Sequence, residues 1–406
     1  MDHQAREAAP GTATRRFLTG AGAVTAGSML ANIAAYLLHL PASRWLGPEG
    51  YGAFAALLSA QLLVAVPSLA LQAVVARDHV RGVPDGVLRS LGRRVALLVA
   101  VVAALAVVPV SLLLDTPVLA TAAALAPGPV LCLLTTEQGV LQGAERFRAL
   151  GGVLALAGAG KVVPAVAVLA AGGGVGLALA AGAVGVTVAW LVAGWISTLG
   201  PGAWRPPTGT SSTSPGVAAV LAAGQVQLVM MALTSVDLLL ARALLSPGDA
   251  GRYALGAVAA KAAFWLPQAV GTVLYPRMAD PAGHRGAVRS AVGVLLGIGA
   301  VVVIGAAAAA PLVPVVVGEA YRPVAGLLWA FAALGVTLSV LQAFLLASIA
   351  SDRTVEAAIA WCGLVLTAVA VWLAPRGVES VLGATLVAVA LTTVAAGWRA
   401  LRVRPA

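Results

Sequence analysis

Two lysines stand inside long apolar stretches, where a charged side chain is costly. Lys161 lies in LAGAGKVVPA and Lys261 in AVAAKAAFW. An ionisable residue in a spanning helix usually faces a cavity or a partner, and it marks a functional site by default. The sequence therefore predicts that both ammonium groups bind an anionic ligand. Two alternatives stay open: Lys161 pairs with a buried acid, or the long stem of Lys261 reaches the nearby membrane interface.

Two acids stand in similar surroundings. Asp237 lies in TSVDLLLAR and Glu137 in TTEQGVLQG. A carboxylate inside a membrane can titrate or bind a cation, so both are predicted as ion-coupling residues. Asp237 could instead pair with Arg242 or Lys261, and Glu137 could cap a helix or lie at the interface.

Neutral amides are the third set of candidates. Asn32, Gln72 and Gln225 lie within apolar stretches and are predicted to bind a polar ligand by hydrogen bonds. The alternative is hydrogen bonding between neighbouring helices, which is worth about 1 kcal/mol or less per bond.

Motifs for other chemistry are absent from the sequence. The four histidines, His3, His39, His79 and His284, are scattered, and no HExxH, P-loop or nucleophile elbow occurs. Cys132 and Cys362 are predicted to act as small apolar residues. The sequence therefore predicts no catalytic residue, no metal site and no cofactor.

The composition is that of a membrane protein. Of 406 residues, 60% are hydrophobic and 10% charged, and the mean hydropathy is +0.97. Soluble domains are about 25% charged, so this chain could not cover a surface in water. The net charge of +10 does not indicate nucleic acid, because the basic residues lie in short loops between apolar runs.

About twelve stretches are long enough to span a bilayer, which takes about 20 apolar residues. They are predicted near 17–40, 51–76, 95–114, 118–141, 150–171 and 175–199, and then near 217–241, 253–275, 287–309, 323–350, 355–374 and 380–397. If the segments between these stretches alternate between the two sides of the membrane, one side holds only five basic residues: Arg44, Arg242, Arg252, Arg322 and Arg376. Lys161 and Lys261 lie within helices, and all other basic residues lie on the side of the termini. Since basic residues favour the cytoplasmic side, both termini are predicted to be cytoplasmic.

Two halves of six helices each are predicted. The segment PGAWRPPTGTSSTSPG has the composition of a linker. This gives a cytoplasmic tail at 1–16, an N-lobe at 17–199, a cytoplasmic linker at 200–216, a C-lobe at 217–397 and a second cytoplasmic tail at 398–406. LGPEGYG before the second helix and LSPGDAGRY before the eighth indicate a parallel pseudo-repeat, with a site between the lobes.

Four motifs, in order along nearly the whole chain, resemble a known family. They are RWLGPEGY, LQGAERF, the stretch from Asp237 to Tyr253, and GEAY before the tenth helix. The chain is similar in these motifs to the oligosaccharide and polysaccharide flippases of the multidrug/oligosaccharidyl-lipid/polysaccharide exporter superfamily. Many relatives have fourteen helices, so the predicted number differs from theirs.

The resemblance implies a function and its partners. The family moves glycans linked to undecaprenyl diphosphate across the bacterial cytoplasmic membrane by alternating access. The implied partners are the lipid-linked glycan, membrane lipids, and the glycosyltransferases and polymerase of the same pathway, with no nucleic acid. The alternative is a multidrug/cation antiporter of the same superfamily, which predicts an acidic cavity. A membrane enzyme is disfavoured, because no outer loop is long enough to carry an active site.

Overall fold

The computed structural model describes residues 10–199, 216–265, 284–349 and 355–402. All regular structure within these ranges is helical. The helices are α1 Pro10–Leu37, α2 His39–Val80, α3 Asp85–Leu114, α4 Val118–Leu125, α5 Pro127–Gly143, α6 Phe147–Ala170, α7 Val175–Thr198, α8 Val217–Leu233, α9 Val236–Leu244, α10 Pro247–Trp265, α11 His284–Ala309, α12 Val313–Val317, α13 Arg322–Ala325, α14 Leu328–Ile349, α15 Val355–Leu373 and α16 Val378–Arg402. Single 3₁₀ turns lie at Ala310–Leu312 and Glu319–Tyr321.

Within the described residues, eight helical segments are long and apolar enough to cross a bilayer, and a ninth is gained if α8 and α9 form one span across their 43° bend. Residues 22–80, predicted as two spans, form one nearly continuous helical segment. The predicted eighth span is described only as far as Trp265, and α15 is a shorter apolar helix. Each of the twelve predicted stretches contains helix, which confirms the prediction of an all-α multi-pass membrane protein.

The predicted tail boundaries at 16/17 and 397/398 lie inside α1 and α16, and most of the predicted linker lies outside the described residues. Of the linker at 200–216, only Gly216 is described. Helix extends into both predicted tails, since α1 starts at Pro10 and α16 continues to Arg402. The division into an N-lobe and a C-lobe stays a prediction, and these names are used below for 17–199 and 217–397.

The helix α2 is broken near its start by Gly47. This residue has φ 64° and ψ 177°, a conformation that glycine adopts without steric cost. Pro48 follows, and it disfavours helical geometry in the residue before it. The chain therefore turns sharply between a short first piece of α2 and the long span, and the turn brings Tyr51 back beside His39.

Large apolar side chains cover much of the outside of the bundle. Leu105, Leu112 and Leu119 are each more than 70% exposed. Such a surface would be unfavourable in water but is the natural surface toward lipid.

Buried side chains from both lobes form one apolar core. A single core cluster contains the buried side chains of Phe54 and Leu57 from α2, Tyr253 and Phe264 from α10, and Phe331 from α14. The helices α2 and α10 cross just after the break in α2 and near the start of α10, where a Cβ on Gly251 would lie 1.7 Å from the carbonyl oxygen of Pro48. Only glycine permits this close approach of the two backbones.

Candidate functional site

Lys261 lies at the seam between the lobes. Its side chain extends from α10, and its Nζ donates a hydrogen bond to Ser59 Oγ on α2 at 2.8 Å. The contact joins residues 202 positions apart in the sequence. The ammonium group is therefore directed at the opposite lobe, as a cavity role requires.

Lys161 lies on α6, in a half-buried position. Within the described parts of the chain, its ammonium group has neither a hydrogen bond nor a salt bridge, so the alternative of pairing with a buried acid finds no partner there. The side chain is close enough to His39 for the two to interact electrostatically. An ammonium group without a carboxylate in a poorly hydrated place is suited to an anionic ligand.

His39 lies near both lysines. It is the first residue of α2, its Nδ1 lies 3.0 Å from the hydroxyl of Tyr51, and the two rings meet edge to face at 5.9 Å. Both Lys161 and Lys261 interact electrostatically with this imidazole. The three nitrogen-bearing side chains come from α2, α6 and α10 and form a basic cluster that includes both lobes.

Contacts between the lobes close one end of this region. Arg242 of α9 donates from Nε to the carbonyl oxygen of Leu114 at 2.9 Å and from Nη2 to that of Asp115 at 3.0 Å. The hydroxyl of Tyr321 donates to the carbonyl oxygen of Ser43 at 3.2 Å. All these residues lie on the side that the charge bias predicts to be outer, so these contacts join the lobes at the predicted outer end of the seam.

An ion pair on the predicted outer side lies within one lobe. Arg322 forms two hydrogen bonds to the Glu319 carboxylate, at 2.7 and 2.8 Å, and both side chains are largely exposed. The hydrogen bonds from Arg322 hold the pKa of the Glu319 carboxyl below its ordinary value. The pair takes no part in closing the seam.

Asp237 is buried where α8 and α9 meet. Its Oδ2 accepts a hydrogen bond from the hydroxyl of Tyr253 at 2.8 Å. Its Oδ1, like the buried Oγ of Ser235, has no hydrogen-bond partner in the described structure. Lys261 also interacts electrostatically with this carboxylate. The break between the two helices thus holds an acidic site close to the basic cluster.

Glu137 has a full set of partners. Arg89 of α3 donates to its two oxygens at 2.9 and 3.1 Å, and Ser197 of α7 also donates to it. Arg146 donates to the carbonyl oxygens of Ile196 and Ser197. This network ties α3, α5, α6 and α7 together at their predicted inner ends. The geometry is that of a structural clamp, and the ion-coupling role stays an untested prediction.

The three amides predicted to bind a ligand are Asn32, Gln72 and Gln225. Gln72 donates to Gln142 at 3.1 Å, and Asn32 and Gln225 are exposed. No hydrogen bond joins any of the three to Lys161 or Lys261 in the described ranges. Their predicted role in binding a ligand stays a prediction.

Sequence reasoning missed His39, Tyr51, Ser59 and Tyr253 as site residues. The two tyrosines occupy corresponding places: each follows a break in its lobe, is fully buried, and pairs with a polar side chain from just before that break. The repeated turn motifs contain both tyrosines and were a signal for them. No local pattern marks Ser59.

Comparison with known proteins identifies the fold. No family model and no curated protein sequence matches the chain. An inward-facing multidrug resistance MATE family transporter of the MOP superfamily superposes with a TM-score of 0.68 at 15% identity, over 92% of this chain and 93% of the other. The lipid II flippase MurJ in an inward closed conformation gives 0.68 at 10% identity, over 93% and 87%. The Vibrio cholerae MATE transporter VcmN in the bent form gives 0.58 at 17% identity, over 96% and 98%.

The chain therefore has the helical fold that MATE transporters share with MurJ. Identities of 10–17% show the fold alone.

Proposed function

We propose that this protein is a flippase, which moves an oligosaccharide linked to undecaprenyl diphosphate across the bacterial cytoplasmic membrane by alternating access. The observation that supports this cargo is the convergence of Lys161, Lys261 and His39 at the seam between the lobes. The glycan serves the synthesis of a cell-surface polysaccharide.

The charge of the cargo is the physical reason for the basic cluster. A diphosphate diester carries two negative charges, and moving an uncompensated charge into a low-dielectric region is very costly. Two ammonium groups offset both charges, and the half-buried position of the lysines strengthens the attraction. The prenyl chain needs no such site, because it stays in lipid.

Closure of one end of the seam supports alternating access. In this proposal, the contacts of Arg242 and Tyr321 hold the outer side shut while the cargo enters from the inner side. These contacts then break as the lobes rock, and the cargo leaves outward. An anionic headgroup moving outward is helped by an inside-negative potential, by about 2.3 kcal/mol per charge for each 100 mV.

Asp237 is the proposed ion-coupling residue. It is buried, and one of its oxygens has no hydrogen-bond partner in the described structure. Glu137 is the weaker candidate, because Arg89 and Ser197 occupy its oxygens. Asn32, Gln72 and Gln225 are kept as candidates for hydrogen bonds to the glycan.

A multidrug/cation antiporter is the second candidate. The buried carboxylate of Asp237 favours it, since an antiporter needs an acid that exchanges a cation or a proton. The two lysines favour the flippase, because they would repel a cationic drug. The proposed partners of a flippase are its lipid-linked glycan, membrane lipids, and the glycosyltransferases and polymerase that make and use that glycan, without nucleic acid.

A reconstituted assay tests the proposal. The protein is placed in liposomes that contain a fluorescent polyprenyl diphosphate sugar, and movement between leaflets is followed with a membrane-impermeant quencher. We expect rapid movement with the wild type and none with Lys161→Ala or with Lys161→Gln/Lys261→Gln. Arg376→Gln removes one positive charge from an outer loop and should leave the rate unchanged.

The result also separates the two candidates. If the wild type leaves the labelled lipid in its leaflet but exchanges a cationic drug for sodium or protons, the antiporter is supported and the flippase is rejected. If the wild type moves the lipid and Lys161→Ala does so at the same rate, Lys161 is not part of the site.

A further inference from the structure

An apolar groove lies between the lobes, with α2 and α3 of the N-lobe on one side and α8 of the C-lobe on the other. Its volume is about 580 Å³, and the residues that line it are all apolar, among them Leu63 and Val66 of α2, Leu98 and Val102 of α3, and Leu221 of α8. The last three side chains are 39%, 50% and 41% exposed on the outside of the bundle. The groove is therefore open to the hydrocarbon of the membrane.

The groove is a gap between two contacts that α2 makes with the C-lobe. At one end, Ser59 Oγ accepts the hydrogen bond from Lys261 Nζ at 2.8 Å. At the other end, a Cβ on Gly224 of α8 would lie 3.4 Å from the Cβ of Ala70. Ser59, Leu63 and Ala70 are spaced by four and seven residues, so they share one face of α2, and this face is turned to the C-lobe. The groove thus begins one helical turn from the residue that holds the ammonium group of Lys261.

From this lysine, the groove leads toward the predicted inner side of the membrane. The helix α2 runs from its break at Gly47, on the predicted outer side, to its predicted inner end at Val80. At about 1.5 Å per residue, Val66 therefore lies about 10 Å nearer the inner side than Ser59. In the proposed function, this is the side from which the cargo enters.

We infer that this groove is the passage through which the prenyl chain of the cargo leaves the headgroup site and reaches the lipid. The inference rests on the proposed flippase function and adds a subsite for the chain. When the diphosphate is bound at Lys261, the first isoprene units have to cross the wall of the bundle, and the apolar gap beside that lysine lets them do so while the lobes stay in contact. The glycan cannot take this route, because the apolar walls offer its hydroxyl groups no side-chain hydrogen-bond partner.

The position of the groove favours the chain of the cargo over the acyl chain of a membrane phospholipid. A phospholipid keeps its headgroup at the membrane interface, so it would fill the groove with the end of a chain and make no use of Lys261. The prenyl chain is covalently attached to a diphosphate that the ammonium group attracts. Because the groove continues directly from the contact of Lys261 with Ser59, it fits a ligand that carries an anion and an apolar chain side by side.

Photolabelling of the full-length protein in lipid nanodiscs tests the inference. The probe is an undecaprenyl diphosphate sugar that carries a diazirine on its second isoprene unit. After illumination, mass spectrometry of the digested protein locates the labelled residues. We expect labels on the groove-lining parts of α2, α3 and α8, at Leu63, Leu98 and Leu221 or their neighbours in the groove, and we expect an excess of unlabelled cargo to suppress them.

Two neighbouring valines of α3 provide matched variants for affinity measurements. Val102 lines the groove and Val101 does not, although the two are 50% and 49% exposed. Val102→Trp places an indole ring in the groove and should weaken binding of the undecaprenyl probe at least about tenfold. Val101→Trp adds the same ring outside the groove and should bind like the wild type. An analogue with a single isoprene unit is too short to enter the groove, so all three proteins should bind it equally.

The outcomes separate the inference from the function. Labels found only outside the groove, or a Val102→Trp variant that binds the long probe with wild-type affinity, overturn the inference and leave the flippase standing. A photoreactive phosphatidylglycerol that labels the groove and is not displaced by cargo would assign the groove to a phospholipid and also overturn the inference. A wild type that binds neither probe overturns the proposed function as well. If Val102→Trp does not purify, the labelling of the wild type decides.

Discussion

Arg242 reaches from α9 to the end of α3 and donates a hydrogen bond to the carbonyl oxygen of Leu114. A second bond goes to the carbonyl oxygen of Asp115, a residue with φ 47° that ends α3 in a left-handed conformation. The last carbonyls of a helix lack partners within the helix. The guanidinium of one predicted lobe thus caps a helix of the other and joins the lobes at their predicted outer ends.

Removal of this cap should open the outer side. A hydrogen bond to a charged group contributes about 1.5–3 kcal/mol, so Arg242→Ala should shift the lobes at least tenfold toward the outward-open state. Spin labels at Leu119 and Val315, which are exposed on opposite lobes, report the change as a longer distance in pulsed electron resonance. Cys132 and Cys362 are first replaced.

Arg252→Ala is the control for this experiment. Arg252 is also an outer arginine, but its bonds go to Asp249 and to the carbonyl oxygen of Ala320 within its own lobe. The label distance should stay at the wild-type value. An unchanged distance in Arg242→Ala as well would mean that the cap does not hold the outer side shut.

The clamp around Glu137 should stabilise the folded protein. Glu137→Gln leaves Arg89, which is 28% exposed, without its ionic partner, and we expect a loss of about 2 kcal/mol, seen as a lower Tm in detergent. In a double-mutant cycle, Arg89→Gln should then cost much less in the Glu137→Gln background than in the wild type. Full stability of Glu137→Gln together with loss of ion dependence would instead support the coupling role.

The sequence predicts the helices better than the site, for physical reasons. A spanning helix depends on apolar length, which is local, and the break at Gly47 and Pro48 can be read from two adjacent residues. The contact of Lys261 with Ser59 joins positions 202 apart, and that of Arg89 with Glu137 joins positions 48 apart. Such contacts depend on how the helices pack. His39 and Tyr51 are only 12 residues apart, and the turn motif between them could have predicted their pairing.

Asp237→Asn tests ion coupling. The amide keeps an oxygen that accepts the hydrogen bond from Tyr253 but loses the charge that attracts a cation or proton. We expect movement of the labelled lipid to lose its response to imposed sodium and pH gradients, by at least tenfold in rate, which corresponds to about 1.4 kcal/mol.

The control for Asp237 is Asp249→Asn. Asp249 is a partly exposed outer acid that pairs with Arg252, and its loss should not alter the response to the gradients. Asp237→Asn with an undiminished response would remove Asp237 as the coupling residue, and the membrane potential would then be the remaining driving force for an anionic cargo.

Gly251 should be required for the outer side to close. An alanine there places its Cβ 1.7 Å from the carbonyl oxygen of Pro48, which is backbone and cannot turn aside. The lobes can accept the methyl group only by separating at α2 and α10, so Gly251→Ala should lengthen the Leu119–Val315 label distance and slow the movement of lipid. Gly248→Ala lies on the same helix with nothing within 4 Å of its Cβ, and it should change neither measurement. A wild-type distance in Gly251→Ala would show that the crossing of α2 and α10 is not the contact that sets the closed state.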